Sequence, residues 1–150
     1  MRQLALAMAM AATAATACGC RHGNSTRVKI EGHTWKVEVA ADPARRKKGM
    51  AGRSDVPPGT GMLFVFPEPD YRSFWMEGCL VPLDIAFINE DMRVTAVYTM
   101  PVEPDHAGRK NYTSRSRVLY VLETRAGELV KAGVAAGSRV KISGPIPEAE

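Results

Sequence analysis

Two carboxylates placed inside apolar, strand-like runs are the residues at which chemistry would be sought first. Asp84 lies between Leu83 and Ile85 in the run Val81 to Ile88, and Glu123 ends the run Val118 to Glu123. A carboxylate in such a setting is costly unless it is paired or hydrogen-bonded. Asp84 therefore reads either as a structural acceptor, in a salt bridge to Arg53 or in a turn, or as a ligand-binding or catalytic group. In the second case Glu123 would be its partner in an acid/base or metal-holding pair. Cys79 with His106 would make a thiol nucleophile and its base. However, the neighbours of Cys79 are Glu77, Gly78, Leu80 and Val81, and a negative charge together with apolar burial raises a thiol pKa. That segment predicts a buried, unreactive cysteine. Met62, Trp75-Met76 and His106 have the softness for copper(I), but the methionines fall at core-facing positions, and neither a metal site nor a cofactor is expected. Tyr112 and Ser114, beside Arg109, Lys110, Arg115 and Arg117, read either as a solvated basic loop or as a rim for a small anionic or sugar-like ligand. The candidate polar cluster, ligand-binding or structural, is thus Arg53, Asp84, Tyr112, Ser114 and Glu123.

The elements that must position these residues are short and mostly extended. Val28 and Ile30, the turn Glu31-Gly32, and Trp35, Val37 and Val39 in alternation with polar residues predict a β-hairpin. Asp42-Pro43 is an N-cap followed by proline at the first helical position, opening a short helix to Lys48. Met62 to Phe66 is an uninterrupted apolar run of strand length. Val81 to Ile88 and Arg93 to Met100, joined at Asn89-Glu90-Asp91, form a second hairpin. A long polar connection covers 101–117 and is long enough to carry function. Val118 to Glu123 and Ser138 to Ile142 are further strands, with one helical turn near Ala126 to Lys131. Six or seven short strands with one or two short helices predict a mainly β fold, an antiparallel sandwich or barrel. Residues 27–144 form its single domain, and 145–150 a loose tail.

The chain has 150 residues and a net charge of +4 from 20 Lys+Arg and 16 Asp+Glu, and its only dense cationic run, Arg45-Arg46-Lys47-Lys48, reads as a solvated helix face. Nothing else tracks phosphates, so nucleic acid is not an expected partner. Residues 1–17 have a signal-peptide profile: Arg2, then the uncharged run Leu4 to Ala17. That run would span roughly 21 Å as a helix, short of the roughly 30 Å hydrocarbon core. It ends Ala15-Thr16-Ala17-Cys18-Gly19-Cys20, and small residues before a cysteine suit lipidation at Cys18, or alternatively Cys20, with 18–26 as a tether; simple cleavage after Ala17 would give a soluble exported protein.

Further residues carry a resemblance. Arg46 to Arg53, Gly61 to Phe66, Phe74-Trp75-Met76, Val81 to Ile88, and Tyr120 to Glu123 with Ala126-Gly127 together resemble the domain of unknown function 192 family over about Trp35 to Gly144. The resemblance implies a compact jelly-roll-like β domain, often exported and often behind a lipoprotein signal, with no established activity. The chain departs from the family pattern at Met50-Ala51, where Leu-Met is usual, and at Glu77-Gly78-Cys79, where Lys-Asn-Thr is usual. Two functions are carried forward: a cell-envelope module, held at the membrane by its N-terminal lipid, that binds a small ligand or an envelope protein without chemistry; and a small hydrolase-like or metal-assisted enzyme using Asp84 and Glu123.

Overall fold

The computed structural model describes residues 25–150; the leader, Cys18 and Cys20 lie outside them. Nine strands and two short helices run β1 (Arg27–Ile30), β2 (His33–Ala40), α1 (Pro43–Lys48), β3 (Thr60–Asp70), β4 (Ser73–Phe74), β5 (Leu83–Ile88), β6 (Val94–Met100), β7 (Tyr112–Thr113), β8 (Val118–Arg125), α2 (Glu128–Lys131) and β9 (Val140–Ser143). Seven strands form one sheet in the order β6-β5-β8-β3-β2-β1-β9, while β4 and β7 pair separately. The protein is therefore mainly β, and its pairings are antiparallel except that of β2 with β3. The parallel pair arises because α1 and the turn after it carry the chain back to the start of the sheet, as a parallel connection requires.

The sheet curls until its two edges touch. Val94 N donates to Ser138 O at 3.0 Å, Val140 N to Met92 O at 2.9 Å, and Arg93 bridges Arg139, so the outermost strands protect one another at one end. Alternation along the strands then makes two cores. One contains residues of all seven strands, among them Ile30, Trp35, Leu63, Ile88, Val94, Leu122 and Val140, with Leu129 of α2; it fills the inside of the curl. The other face carries Met62, Phe64, Ile85, Phe87 and Val121, covered by Met50, Met76, Cys79 and Tyr112 from the connecting segments. β5 is buried along its whole length because both of its faces are covered.

α1 forms as its sequence dictates: the Asp42 side chain accepts from Arg45 N at 2.9 Å and Pro43 opens the first turn. The expected loose tail is corrected. Glu150 N donates to Ala41 O at 3.1 Å, and Arg46 donates to Glu150 O, so the C-terminal residues are strapped across the end of β2. Thr26 is likewise buried and donates to Pro145 O, which puts it inside the fold and not in a tether.

β3 and β8 approach most closely at Gly61, where an added Cβ would lie 2.3 Å from the carbonyl oxygen of Glu123. That oxygen belongs to the backbone of β8, so the strands themselves must part. Gly61→Ala should cost about 3 kcal/mol, measured by urea denaturation; a loss below ~1 kcal/mol would show that the two strands are not held at this spacing.

Candidate functional site

The sheet's outer face carries a row of side chains at one register level. Glu38 on β2 pairs with Met62 on β3, Met62 with Glu123 on β8, and Glu123 with Ile85 on β5. Arg53 meets Glu38 in a two-pronged ion pair at 2.7 and 2.8 Å, which holds the Glu38 carboxyl below its ordinary value. Glu123, two strands away, is only 4% exposed, and among the described residues its carboxyl makes no hydrogen bond. Burial pushes it up to about 8, with the charge of Arg53 opposing. At neutral pH Glu123 is thus mainly the uncharged acid.

Glu123 forms the floor of a cleft of about 470 Å³ bounded by α1 with its C-terminal Gly49, by β3, and by the segment from Tyr71 to Cys79. Its walls are Phe64, Phe66, Phe74 and Met50. Phe64 and Phe74 meet edge to face at 5.0 Å, which fixes the wall. Tyr71 and Trp75 stand at the mouth, 68% and 49% exposed. The rim is basic. The Arg46 guanidinium lies 5.2 Å and that of Arg72 4.1 Å from the Phe66 ring centre. Arg46 is fully engaged with the carbonyls of Ala41, Val65 and Glu150, whereas Arg72 gives Nη2 to Glu68 O at 2.8 Å and keeps a buried Nε with no partner. Lys47 and Lys48 make no ion pair among the described residues.

The mouth is buttressed by the long polar connection. Gly78 N donates to His106 O at 2.9 Å, and His106 Nδ1 meets Cys79 O at 2.8 Å. The segment is held in shape by Glu103, which accepts from Arg109 N and Lys110 N at 2.8 and 2.9 Å. Gly108 (φ +65°) packs so closely that a Cβ there would sit 2.8 Å from Trp75 Cδ1 and 2.6 Å from Glu77 N. The loop thus packs directly against Trp75 and Glu77 at the mouth.

The structure separates most of the polar cluster named from sequence. The pairing of Asp84 with Arg53 is corrected, since Arg53 belongs to Glu38. Asp84 is fully buried inside the curl, where it accepts from Thr99 Oγ1 at 2.6 Å and from Leu129 N at 3.0 Å. It caps α2, whose own N-cap is Gly127 with no side-chain bond. The pairing of Asp84 with Glu123 is corrected too. Asp84 stands opposite Thr124 in the ladder, one residue out of step with Glu123, so the two carboxylates project from opposite faces of the sheet. Ser114 is buried, bonded to Ser116 O and accepting from Arg72 N. Tyr112 is packed against Tyr98 under Lys110. Of the cluster, Glu123 alone lines the cleft; the lining residues that sequence missed are Arg72, Phe66, Tyr71 and Lys47-Lys48, while Trp75 was read there only as a soft group suited to copper(I). The Lys run had the form of a solvated helix face, and only its position over the cleft distinguishes it.

Cys79 also lines the cleft, but burial and the neighbouring Glu123 charge push its thiol up to about 11, and His106 meets its carbonyl oxygen and not its sulfur. With Cys18 and Cys20 replaced by alanine, Cys79 should react with a disulfide reagent at pH 7.5 about a hundredfold more slowly than a free thiol. Labelling at the free-thiol rate would restore the nucleophile reading.

A comparison with curated proteins gave no match. Similar solved structures include two that can be compared in detail. A protein of Sinorhizobium meliloti 1021 described as a candidate transcription regulator is 34% identical, with TM-score 0.71, over 78% of this chain and 92% of its own. A protein of unknown function from Novosphingobium aromaticivorans DSM 12444 is 28% identical, with TM-score 0.70, over 77% and 83%. The family model DUF192, described as an uncharacterized ACR, matches residues 26–142, which takes in every strand of the curled sheet and the whole lining of the cleft. The chain belongs to the DUF192 family.

Proposed function

We propose that the protein is an exported, lipid-anchored module of the cell envelope that binds a small ligand in the cleft between α1 and Trp75 and performs no chemistry on it. The observation that carries this reading is the cleft itself: about 470 Å³, apolar and aromatic on its walls, with Lys47, Lys48, Arg72 and Glu123 among its lining residues, as small-molecule sites are built. The address rests on the Leu4 to Ala17 leader and the small residues before Cys18. The enzyme built on Asp84 with Glu123 is set aside, because that pair lies across the sheet. Among the described residues no helix is long and apolar enough to cross a membrane.

The test is a thermal-shift screen of small anions, sugars and cations against the protein and a Trp75→Ala variant, since a ligand that binds the native state raises its melting temperature. A compound that shifts the parent and not the variant is the expected result. Shifts that are equal in both, or none for any compound, would remove the cleft as a binding site. In cell fractions, the parent should sediment with membranes and a Cys18→Ala, Cys20→Ala variant should not; identical distribution of the two would remove the lipid anchor.

A further inference from the structure

Two polar groups among the lining residues are free to meet a ligand. The Arg72 guanidinium gives Nη2 to Glu68 O, while its Nη1 makes no hydrogen bond among the described residues. The Glu123 carboxyl likewise makes none among the described residues. The lining also holds the ring of Phe66, with Arg46 and Arg72 over it, and Phe74, with Trp75 exposed at the entrance. A cationic ligand would face Arg72, Lys47 and Lys48. A ligand with an anion at both ends would bring a second negative charge to a buried carboxyl. A flat body that is anionic at one end and an uncharged acceptor at the other suits the Arg72 guanidinium and the protonated Glu123 carboxyl together.

We propose, building on the cleft as a binding site, that its ligand is a ring-bearing carboxylate with a second, uncharged hydrogen-bond acceptor at its far end. The carboxylate meets the Arg72 guanidinium, aided by Lys47 and Lys48, the ring packs beside Trp75, and the far acceptor accepts a hydrogen bond from the protonated Glu123 carboxyl. Glu123 thereby sets specificity and makes binding pH-dependent, because only the acid form can donate. The groups facing Glu123 from the packed elements are Arg53, which follows α1, and Cys79, which follows β4; Met62 and Ile85 on the adjacent strands carry no charge. Cys79 is held up to about 11 and stays a thiol through the range in which Glu123, at about 8, loses its proton. Across the cleft, Lys47, Lys48, Arg72 and Glu77 supply the remaining charges.

The probes are 4-acetylbenzoate, which carries a non-titrating carbonyl opposite its carboxylate, and benzoate, which lacks it. Binding to the full chain is followed by quenching of Trp75 emission, with Trp75→Phe as the control that removes it. At pH 7, 4-acetylbenzoate should bind about tenfold more tightly than benzoate. The advantage should vanish at pH 9 in the parent and persist there in Glu123→Gln, whose amide donates at any pH. It should be absent at both pH values in Glu123→Leu, with the native melting curve of each variant confirming its fold. Equal affinity of the two probes at pH 7, or an advantage that survives in Glu123→Leu, would overturn the proposal. If neither probe quenches Trp75 while another compound of the screen protects the protein through the cleft, the ligand class is wrong and the binding site stands; if probes and screen are both silent, both fail.

Discussion

Glu123→Gln should be more stable than the parent at pH 8, and the difference should shrink steadily to nothing as the pH is lowered toward 4.5. In the unfolded chain Glu123 titrates at its ordinary value near 4.5, while burial in the fold raises it to about 8. Between those values the folded state holds a proton that the unfolded state has released. Stability from this group is therefore fully present below about 4.5, falls as the pH climbs through the window, and levels off above about 8. The size of the shift makes the loss on the order of 3–5 kcal/mol across the window. Glutamine matches the shape and the donor of the protonated acid and has nothing to ionise, so its stability should be flat there. Glu38 acts in the opposite sense and elsewhere: its pKa is lowered by Arg53, so its contribution disappears only as pH falls below the ordinary carboxylate range. Urea titrations of both proteins at half-unit steps from pH 4 to 9 measure the slope directly. Parallel curves for parent and variant would mean that Glu123 is ionised in the native protein, and the acid at the floor of the cleft would go with it.

Asp84→Ala should cost roughly 2–4 kcal/mol, because it orphans the buried Leu129 backbone N–H and also removes the acceptor of the part-buried bond from the Thr99 hydroxyl. Asp84→Asn should cost less, since the amide oxygen retains one of those bonds. The loss has a local signature. α2 is a single turn with no cap of its own, and its Glu128 accepts from Trp35 Nε1 at 2.7 Å and from Gly59 N at 3.0 Å. Freed from Asp84, the turn should fray and Trp35 emission should move to the red before global unfolding. Asp84 and Arg53 share no contact, so the losses from Asp84→Ala and Arg53→Ala should add. A double variant no worse than the single Asp84→Ala would revive their pairing. A loss below ~1 kcal/mol for Asp84→Ala would remove the cap.

The hairpins at Glu31-Gly32 and Asn89 to Asp91 were legible because period-two alternation and turn residues act locally, and the Asp42-Pro43 helix start for the same reason. The parallel joining of β2 to β3 was not, since it depends on where α1 returns the chain, and no short-range pattern encodes that. Asp84 was legible as an anomaly, a carboxylate in an apolar run, but not its partner: its hydrogen bonds come from Thr99 and from Leu129 N, and a backbone donor leaves no trace in residue types. Asp84 and Glu123 resembled a pair because each interrupts a buried strand. A one-residue offset in ladder register decides which face each serves, and register is a property of the assembled sheet. The cleft was largely hidden for a related reason. Its lining comes from three separated segments, and Lys47-Lys48 or Trp75 acquire meaning only when those segments meet.

The ladder also fixes the order in which this molecule can be completed. β1 is flanked by β2, its neighbour in sequence, and by β9, the last strand of all, and the final residue is strapped to Ala41. A chain emerging N-terminus first can zip the Glu31-Gly32 hairpin at once but cannot close the sheet until β9, from Val140, is free. Such long-separation pairing is slow to form, so the incomplete chain remains open, with β1 lacking its outer partner, for as long as its end is withheld. A chain cut short before Val140 would leave β1 without its outer neighbour, a bare edge open to wrong pairing.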